Sequence, residues 1–291
     1  MSELTFKTPG TLDELVACLS EADASTYLLG GGTDLIIRMR DRGIHQGTLI
    51  DLQGVAGLDA IHMDGRSITI GANVTYARLS ADPVITARIP CLAQMASQVG
   101  STQIRNMARL PGNLANASPA GDAIATLMAL EAKVHTLDGH GATRVRTMDQ
   151  LVLGIGKTSL GRDEAIIKVE IPMPGPHERS RYGKIGLGAR SQVVIANVSL
   201  TMVLSYQADP GRITDARIVL GSAAPLAYHA TAAEALVQGR RPEPALALEL
   251  AEALRVHVEA SIKGIEMFMH KMNDVQGLAL DMFTQLFPEA L

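Results

Sequence analysis

The chain has 291 residues, 47% of them hydrophobic and 3% aromatic, with a formal net charge of −4. That length suits two domains or one large composite, and the apolar fraction supplies a sizeable core. No Lys/Arg run and no Trp are present, which argues against a nucleic-acid partner, because phosphate backbones need clustered cations and single strands need stacking rings.

Thr11-Leu12-Asp13-Glu14 has the form of a capping box, and Leu12, Leu15, Val16 and Leu19 follow at helical spacing. In TYLLGGGTDLIIRMR a short apolar strand, Tyr27 to Leu29, runs into Gly30-Gly31-Gly32. TLIDL (48–52) reads as a strand, and AIHMDGRSITIGA as a hairpin turning at Asp64-Gly65. Residues 75–99 read as mostly helical, broken by Pro83 and Pro90. RLPGNLANASPAGD (109–122) does not read as core: it offers glycines, prolines, small side chains and bare backbone amides. GDAIATLMALEA predicts a buried helix, KVHTLDGHGATRVRT a hairpin, EAIIKVEIP a strand, and IPMPGP a domain boundary. SQVVIANVSLTMVLSYQ and RITDARIVLGS read as strands joined by the turn ADPGR. TAAEALVQG, residues 243–263 and GLALDMFTQLF are expected as helices. Mixed strands and helices with hairpins predict an α+β fold rather than a purely parallel sheet.

Two cysteines, Cys18 and Cys91, fit a reduced, cytoplasmic protein and cannot hold an iron–sulfur cluster on four thiolates. MSELTFKTPG has neither the basic nor the apolar region of a signal peptide, and no apolar run reaches the roughly 18 residues of a membrane span. The eight histidines show no metal-ligand spacing, and no G-x-S-x-G elbow is present. His135 and His140 flank a hairpin turn and are expected to be exposed. Met107, Met128 and Met202 are expected to fill core gaps, and the charges of GRDEAIIK to form a solvated turn.

Two segments are rich in backbone donors: LLGGGTDL (28–35) and RLPGNLANASPAGD. Glycine lets a ligand approach the backbone, and consecutive N–H groups make anion-binding nests. Thr33, Asn113 and Ser118 add short side-chain donors, and Asp122, with no obvious basic neighbour, could accept from ribose hydroxyls. Neither segment has the Rossmann or Walker pattern. From the residues alone the reading is a phosphate-containing cofactor; the alternative is a tight connection and a surface loop.

Together the two loops resemble the FAD-binding medium subunit of the molybdenum hydroxylases, the xanthine dehydrogenase and carbon monoxide dehydrogenase family, whose flavin domain is of the vanillyl-alcohol oxidase, or PCMH, type. The resemblance covers nearly the whole chain. DARIVLGSAAPLAYHATAAEALVQG (215–239) looks like the family's C-terminal domain, and SRYGKIGLGARSQVVIANVSL (180–200) like its start. The implied fold is α+β: a PCMH-type FAD-binding domain over 1–176, with subdomains of about 1–55 and 56–176, then a C-terminal α+β domain over 177–291 with an antiparallel sheet and helices. The implied cofactor is FAD, its pyrophosphate on both glycine-bearing loops. The residues carried over are Leu28, Leu29, Gly30, Gly31, Gly32, Thr33, Asp34 and Leu35 in the first loop, and Arg109, Leu110, Pro111, Gly112 and Asn113 in the second. Ser118 lies close by, Asp122 near ribose or phosphate, Ile166 and Ile167 against the flavin or adenine side, and Lys184 near the flavin, where it would stabilise negative charge on the reduced ring.

The resemblance implies an oxidoreductase: an electron-transfer subunit with no catalytic acid or base and no metal site of its own. It would take electrons from the [2Fe–2S] clusters of a small partner subunit, fed by a molybdenum cofactor in a large one, and pass them to NAD, a quinone or oxygen. The implied assembly is a heterotrimer, doubled. Two alternatives stay open: a stand-alone FAD-dependent oxidase or reductase of the same fold, and a flavin-free scaffold subunit. Where the family commonly has T-[IL]-G-G-N, this chain has Arg109-Leu110-Pro111-Gly112-Asn113. Pro111 offers no N–H, and Arg109 either supplies a charge in compensation or faces away. The segment HKMNDVQGLALDMF (270–283) matches no family feature.

Overall fold

The computed structural model describes residues 3–187, 195–208, 211–262 and 269–289. The chain forms two compact units that interleave in sequence: 1–78, 102–117 and 132–173 make the first, and 79–101, 118–131 and 174–291 the second.

In the first unit the helix Leu12–Ser20 keeps half of the predicted capping box: the Glu14 N–H donates to Thr11 Oγ1 at 3.2 Å, but the Glu14 carboxylate accepts from the Gly10 N–H at 2.6 Å, one residue before the cap. Strands Leu4–Lys7, Gly47–Asp51 and Thr26–Leu29 lie parallel, with Gly47–Asp51 in the middle. Parallel neighbours need crossovers, supplied by the helices Leu12–Ser20 and Leu35–Asp41. A five-stranded antiparallel sheet carries both expected hairpins, Ile61–Met63 with Ser67–Gly71 and Lys133–Asp138 with Thr143–Arg146, on either side of the central strand Glu164–Pro172. The first turns at Asp64, whose carboxylate accepts from the N–H groups of Arg66 and Ser67 at 2.7 and 2.8 Å. Leu15, Leu19, Ile50, Leu137 and Ala165 share one core.

Three expectations fail in this unit. Glu164 of GRDEAIIK is not solvated: it is 2% exposed and accepts from Arg146 Nη1 at 2.7 Å, Arg146 Nη2 at 3.1 Å and the Gly161 N–H at 2.9 Å, with Thr136 adding a short bond. The strand pairing brings these partners together. His135 is half-buried, its Nε2 2.8 Å from Glu170, a diagonal cross-strand neighbour because Lys168 is the residue paired with His135. Burial lowers the pKa of this imidazole, Lys168 lowers it further, and the bond to Glu170 opposes both. Met107 is exposed, whereas Met128 and Met202 are buried as expected.

In the second unit the strands Glu178–Leu187, Ile195–Tyr206, Ile213–Gly221 and Tyr228–His229 form an antiparallel sheet in chain order. The helices Thr231–Val237, Pro244–Ser261 and His270–Leu286 pack on one face, meeting Val198, Leu200, Met202 and Leu204. The helix Asp122–Ala129 packs on the same strands, with Thr126 Oγ1 3.2 Å from Thr201 Oγ1. Val198, Leu200, Met202 and Leu204 alternate with Thr201 and Ser199, so a strand covered on both faces reads as a near-continuous buried run. Pro83 and Pro90 each open a helix, Pro83–Arg88 and Pro90–Gln98, because the first turn needs no N–H from them. The expected turn at 208–212 and the start of SQVVIANVSL lie partly outside the described residues. The unassigned segment 270–283 is helical and buries Val275, Ala279, Met282 and Phe283.

Candidate functional site

The strand Thr26–Leu29 runs straight into the glycine corner, where Gly31 and Gly32 each have a backbone reason to be glycine. A Cβ on Gly31 would sit 1.9 Å from the Met107 carbonyl oxygen and 2.6 Å from its carbon, so only glycine lets the first loop rest on the backbone of the second. Gly32 has φ +70°, the left-handed region. The Gly30 carbonyl accepts from Gln53 Nε2 at 3.1 Å. The Gly32 carbonyl accepts from the Ile36 N–H at 3.2 Å, which starts the helix Leu35–Asp41. Among the described residues the N–H groups of Gly31, Gly32 and Thr33 have no backbone acceptor. Asp34, one residue before that helix, turns its carboxylate to Arg38, whose guanidinium also donates to Asn116 Oδ1.

The second loop is a correction. Residues expected as bare loop form the helix Leu110–Asn116, with Arg109 as its extended N-cap residue and Ala117, at φ 46°, ending it. Pro111 lies in the first turn, where its missing N–H removes no helical bond. Upstream, the Tyr76 N–H donates to the Ala108 carbonyl at 3.1 Å, and Arg109 bridges Thr75 in antiparallel fashion. The helix packs on the strand Glu164–Pro172. On that strand Ile166 is core, and the Ile167 carbonyl accepts from the Ala72 N–H at 2.9 Å.

Arg109 is 9% exposed. Its Nε donates to the Asn73 carbonyl at 3.3 Å, and its Nη1 is buried with no partner among the described residues. Nη1 lies 4.0 Å from where a Gly30 Cβ would be. Burial lowers the pKa of this guanidinium, and the charge of Asp51 opposes the shift. Asn113 Oδ1 is likewise buried without a partner. One corner of the first unit thus gathers bare amides, a buried cation donor and a buried acceptor. Buried polar atoms are seldom left unsatisfied, so this corner has the chemistry of a ligand site for an anion bearing hydroxyls or N–H groups.

The remaining expected residues belong to the second unit. Ser118 Oγ accepts from the Ala120 N–H at 3.3 Å, within a tight turn. The expectation that Asp122 lacks a basic neighbour is corrected: its Oδ2 is 2.7 Å from Lys184 Nζ, and its Oδ1 accepts from the Tyr182 hydroxyl at 2.7 Å. Lys184 and Asp122 are 62 residues apart in sequence, and adjacent elements bring them together. The sequence reading missed Gln53 and Asn73, which tether the two loops of the first unit by one bond each to Gly30 and Arg109; neither belongs to a recognisable motif.

Among the described residues no cluster of His, Cys, Asp and Glu could hold a metal ion, and no helix is long and apolar enough to cross a membrane. Two family models match: the FAD binding domain in molybdopterin dehydrogenase over 2–174, and the CO dehydrogenase flavoprotein C-terminal domain over 187–268. The nicotinate dehydrogenase FAD-subunit of Eubacterium barkeri is 29% identical over 297 residues, covering 99% of this chain and 98% of its own. Among solved structures, carbon monoxide dehydrogenase from Hydrogenophaga pseudoflava superposes with a TM-score of 0.83 at 25% identity, covering 99% and 97% of the two chains. Quinoline 2-oxidoreductase from Pseudomonas putida 86 shares the fold, with a TM-score of 0.85 at 23% identity and coverage of 100% and 99%.

Proposed function

This chain belongs to the family of FAD-binding subunits of the molybdenum hydroxylases, oxidoreductases with FAD as cofactor, and from that premise we propose that it is the electron-transfer subunit of such a complex. It takes electrons from a small [2Fe–2S] partner, supplied in turn by a large subunit carrying the molybdenum cofactor, and delivers them to NAD, a quinone or oxygen. The proposal includes a cytoplasmic location and the division into an FAD-binding domain over 1–176 and a C-terminal domain over 177–291. Bound FAD supplies redox chemistry that no side chain of this chain can.

The observation that carries the reading is the glycine corner set on the backbone of Met107 and Ala108, beside the unpartnered Arg109 Nη1 and Asn113 Oδ1. These groups fit a dinucleotide diphosphate. Leu28 through Leu35 would hold it by backbone N–H groups, Leu110 and Gly112 by first-turn amides, Arg109 by its guanidinium and Asn113 by its amide. Pro111 shapes the turn without donating. Ile166 and Ile167 would give apolar or carbonyl contacts. Ser118, Asp122 and Lys184, expected at the cofactor by sequence position, are engaged by partners within the second unit and are left out of the proposal.

The test is to purify the chain with its natural partners, record the visible spectrum, then denature it and identify the released flavin by chromatography. One FAD per chain, with molybdenum and iron co-purifying, is the expected result. A folded chain with no flavin would overturn the reading. FAD on a chain that stays alone and oxidises a small molecule would replace it with the stand-alone oxidase.

A further inference from the structure

We propose that Arg109 is the charge-neutralising ligand of the FAD diphosphate, so that this chain holds its cofactor by an arginine–diphosphate ion pair as well as by backbone amides. The inference rests on the FAD reading above and deepens it.

A guanidinium has five N–H donors and no acceptor, and it stays charged inside a protein. At 9% exposure Arg109 is cut off from most of the water that would solvate that charge. Among the described residues no carboxylate forms an ion pair with it, and Asp51 acts on it only through its field. Among the described residues its one side-chain bond, from Nε to the Asn73 carbonyl at 3.3 Å, fixes the fork but neutralises nothing. The free Nη1 lies 4.0 Å from where a Gly30 Cβ would be, at the end of the glycine corner whose amides, among the described residues, face no backbone acceptor. A buried charge without a counter-charge is strongly destabilising, so the arrangement is complete only with an anion. A diphosphate matches it: two adjacent negative groups, one set for the fork and one for the amides. Asn113 Oδ1, buried and unpartnered in the same corner, is left to accept from a hydroxyl of the same ligand. A second placement of the same charge is against the reduced isoalloxazine, and the experiment separates the two.

The full chain is stripped of flavin, and FAD binding is followed by fluorescence quenching across a salt series, for the wild type, Arg109→Lys and Arg109→Gln. Inorganic pyrophosphate serves as competitor, and the midpoint potential of each reloaded protein is recorded. The expected wild-type affinity falls with salt, and pyrophosphate competes. Arg109→Gln weakens FAD binding by about tenfold or more and flattens the salt dependence, while Arg109→Lys recovers part of both. The potential stays unchanged throughout. Three results overturn the inference: FAD affinity and salt slope that do not respond to Arg109→Gln, no competition by pyrophosphate with the wild type, or a lowered potential at unchanged affinity, which would put the charge against the ring. Should Arg109→Gln fail to fold, the lysine variant and the wild-type competition still decide. A wild-type chain that binds no FAD would instead defeat the functional reading itself.

Discussion

Two buried cations behave in opposite ways in this protein. Lys184, in the second unit, has a side chain 3% exposed and sits 2.7 Å from Asp122, which also takes the Tyr182 hydroxyl. Arg109, in the first unit, is 9% exposed and has one carbonyl and an orphaned Nη1. Both were candidate cofactor ligands by sequence position. A buried charge whose partner is built in works for the fold, and one whose partner is missing works for a ligand.

The contrast breaks most visibly at the paired site. Lys184→Met leaves the Asp122 carboxylate buried with only a tyrosine hydroxyl, and removing one member of such a pair costs about 3–5 kcal/mol. Replacing both, as Lys184→Met with Asp122→Leu, should recover most of that loss, because well-packed apolar residues replace buried ion pairs nearly neutrally. Urea unfolding of the two variants measures both values. A single variant as stable as the wild type would show that the pair does not hold the strand Glu178–Leu187 to the helix Asp122–Ala129.

Glu164 gives a satisfied charge in the same unit as Arg109. Burial raises its pKa, yet the bonds from Arg146, the Gly161 N–H and Thr136 outweigh burial and hold it below the ordinary 4.5. A carboxylate whose folded pKa is depressed contributes stability that is fully present above the unfolded value and is lost as pH falls through the folded one. Glu164→Gln should therefore cost about 1.5–3 kcal/mol near neutral pH, and its stability curve should approach that of the wild type below about pH 4.5. Parallel curves down to strong acid would show that Arg146 does not depend on the charge.

Gly31→Ala tests the unsatisfied corner. The new methyl meets the Met107 carbonyl, and overpacking of this kind costs about 1–3 kcal/mol. Both loops are tethered independently of Gly31, through Gln53 and through the Thr75 bridge, so the fold should survive while the corner opens. The expected readout is an FAD affinity lower by about tenfold or more in a chain with an unchanged circular dichroism spectrum. Full FAD occupancy would show that the close approach of the two loops is not what binds the cofactor.

How far the sequence carried depends on whether the deciding partner is local. The cap at Thr11, the turn at Asp64 and the helix breaks at Pro83 and Pro90 are set by residues within a few positions and were legible, although that each proline opens the next helix was not. The glycine corner was legible because close backbone approach leaves glycine as its mark. The helix Leu110–Asn116 was not, since its Pro, Gly and two Asn have poor helical preference. Contacts from afar hold it: Arg38 on Asn116, the Gly156 N–H on the Ala117 carbonyl at 2.9 Å, and a fully buried Leu114. The side-chain partners of Glu164 and Asp122 come from strands 18 to 62 residues away in sequence, and nothing in the local residues names them. The orphaned Nη1 of Arg109 is a property of three-dimensional packing alone.

Asp34 gives the smallest effect and the finest distinction. It sits inside the glycine-bearing loop, where sequence position alone makes it a cofactor contact. Its carboxylate is engaged by Arg38 one helical turn on, in a pair with side chains 42% and 56% exposed. Such an i,i+4 pair contributes about 0.3–0.5 kcal/mol, because solvent screens it and two long side chains must be ordered. A carboxylate beside a diphosphate would also repel it, so the loop is better suited to contribute backbone N–H groups than this side chain. Asp34→Asn should therefore lower stability by no more than about 0.5 kcal/mol and shift the FAD dissociation constant by less than about twofold. Urea unfolding and the same fluorescence titration read both. A weakening of FAD binding comparable to that of Arg109→Gln would make the Asp34 side chain a ligand in its own right and move the boundary between structural and ligand-binding charge into the first loop.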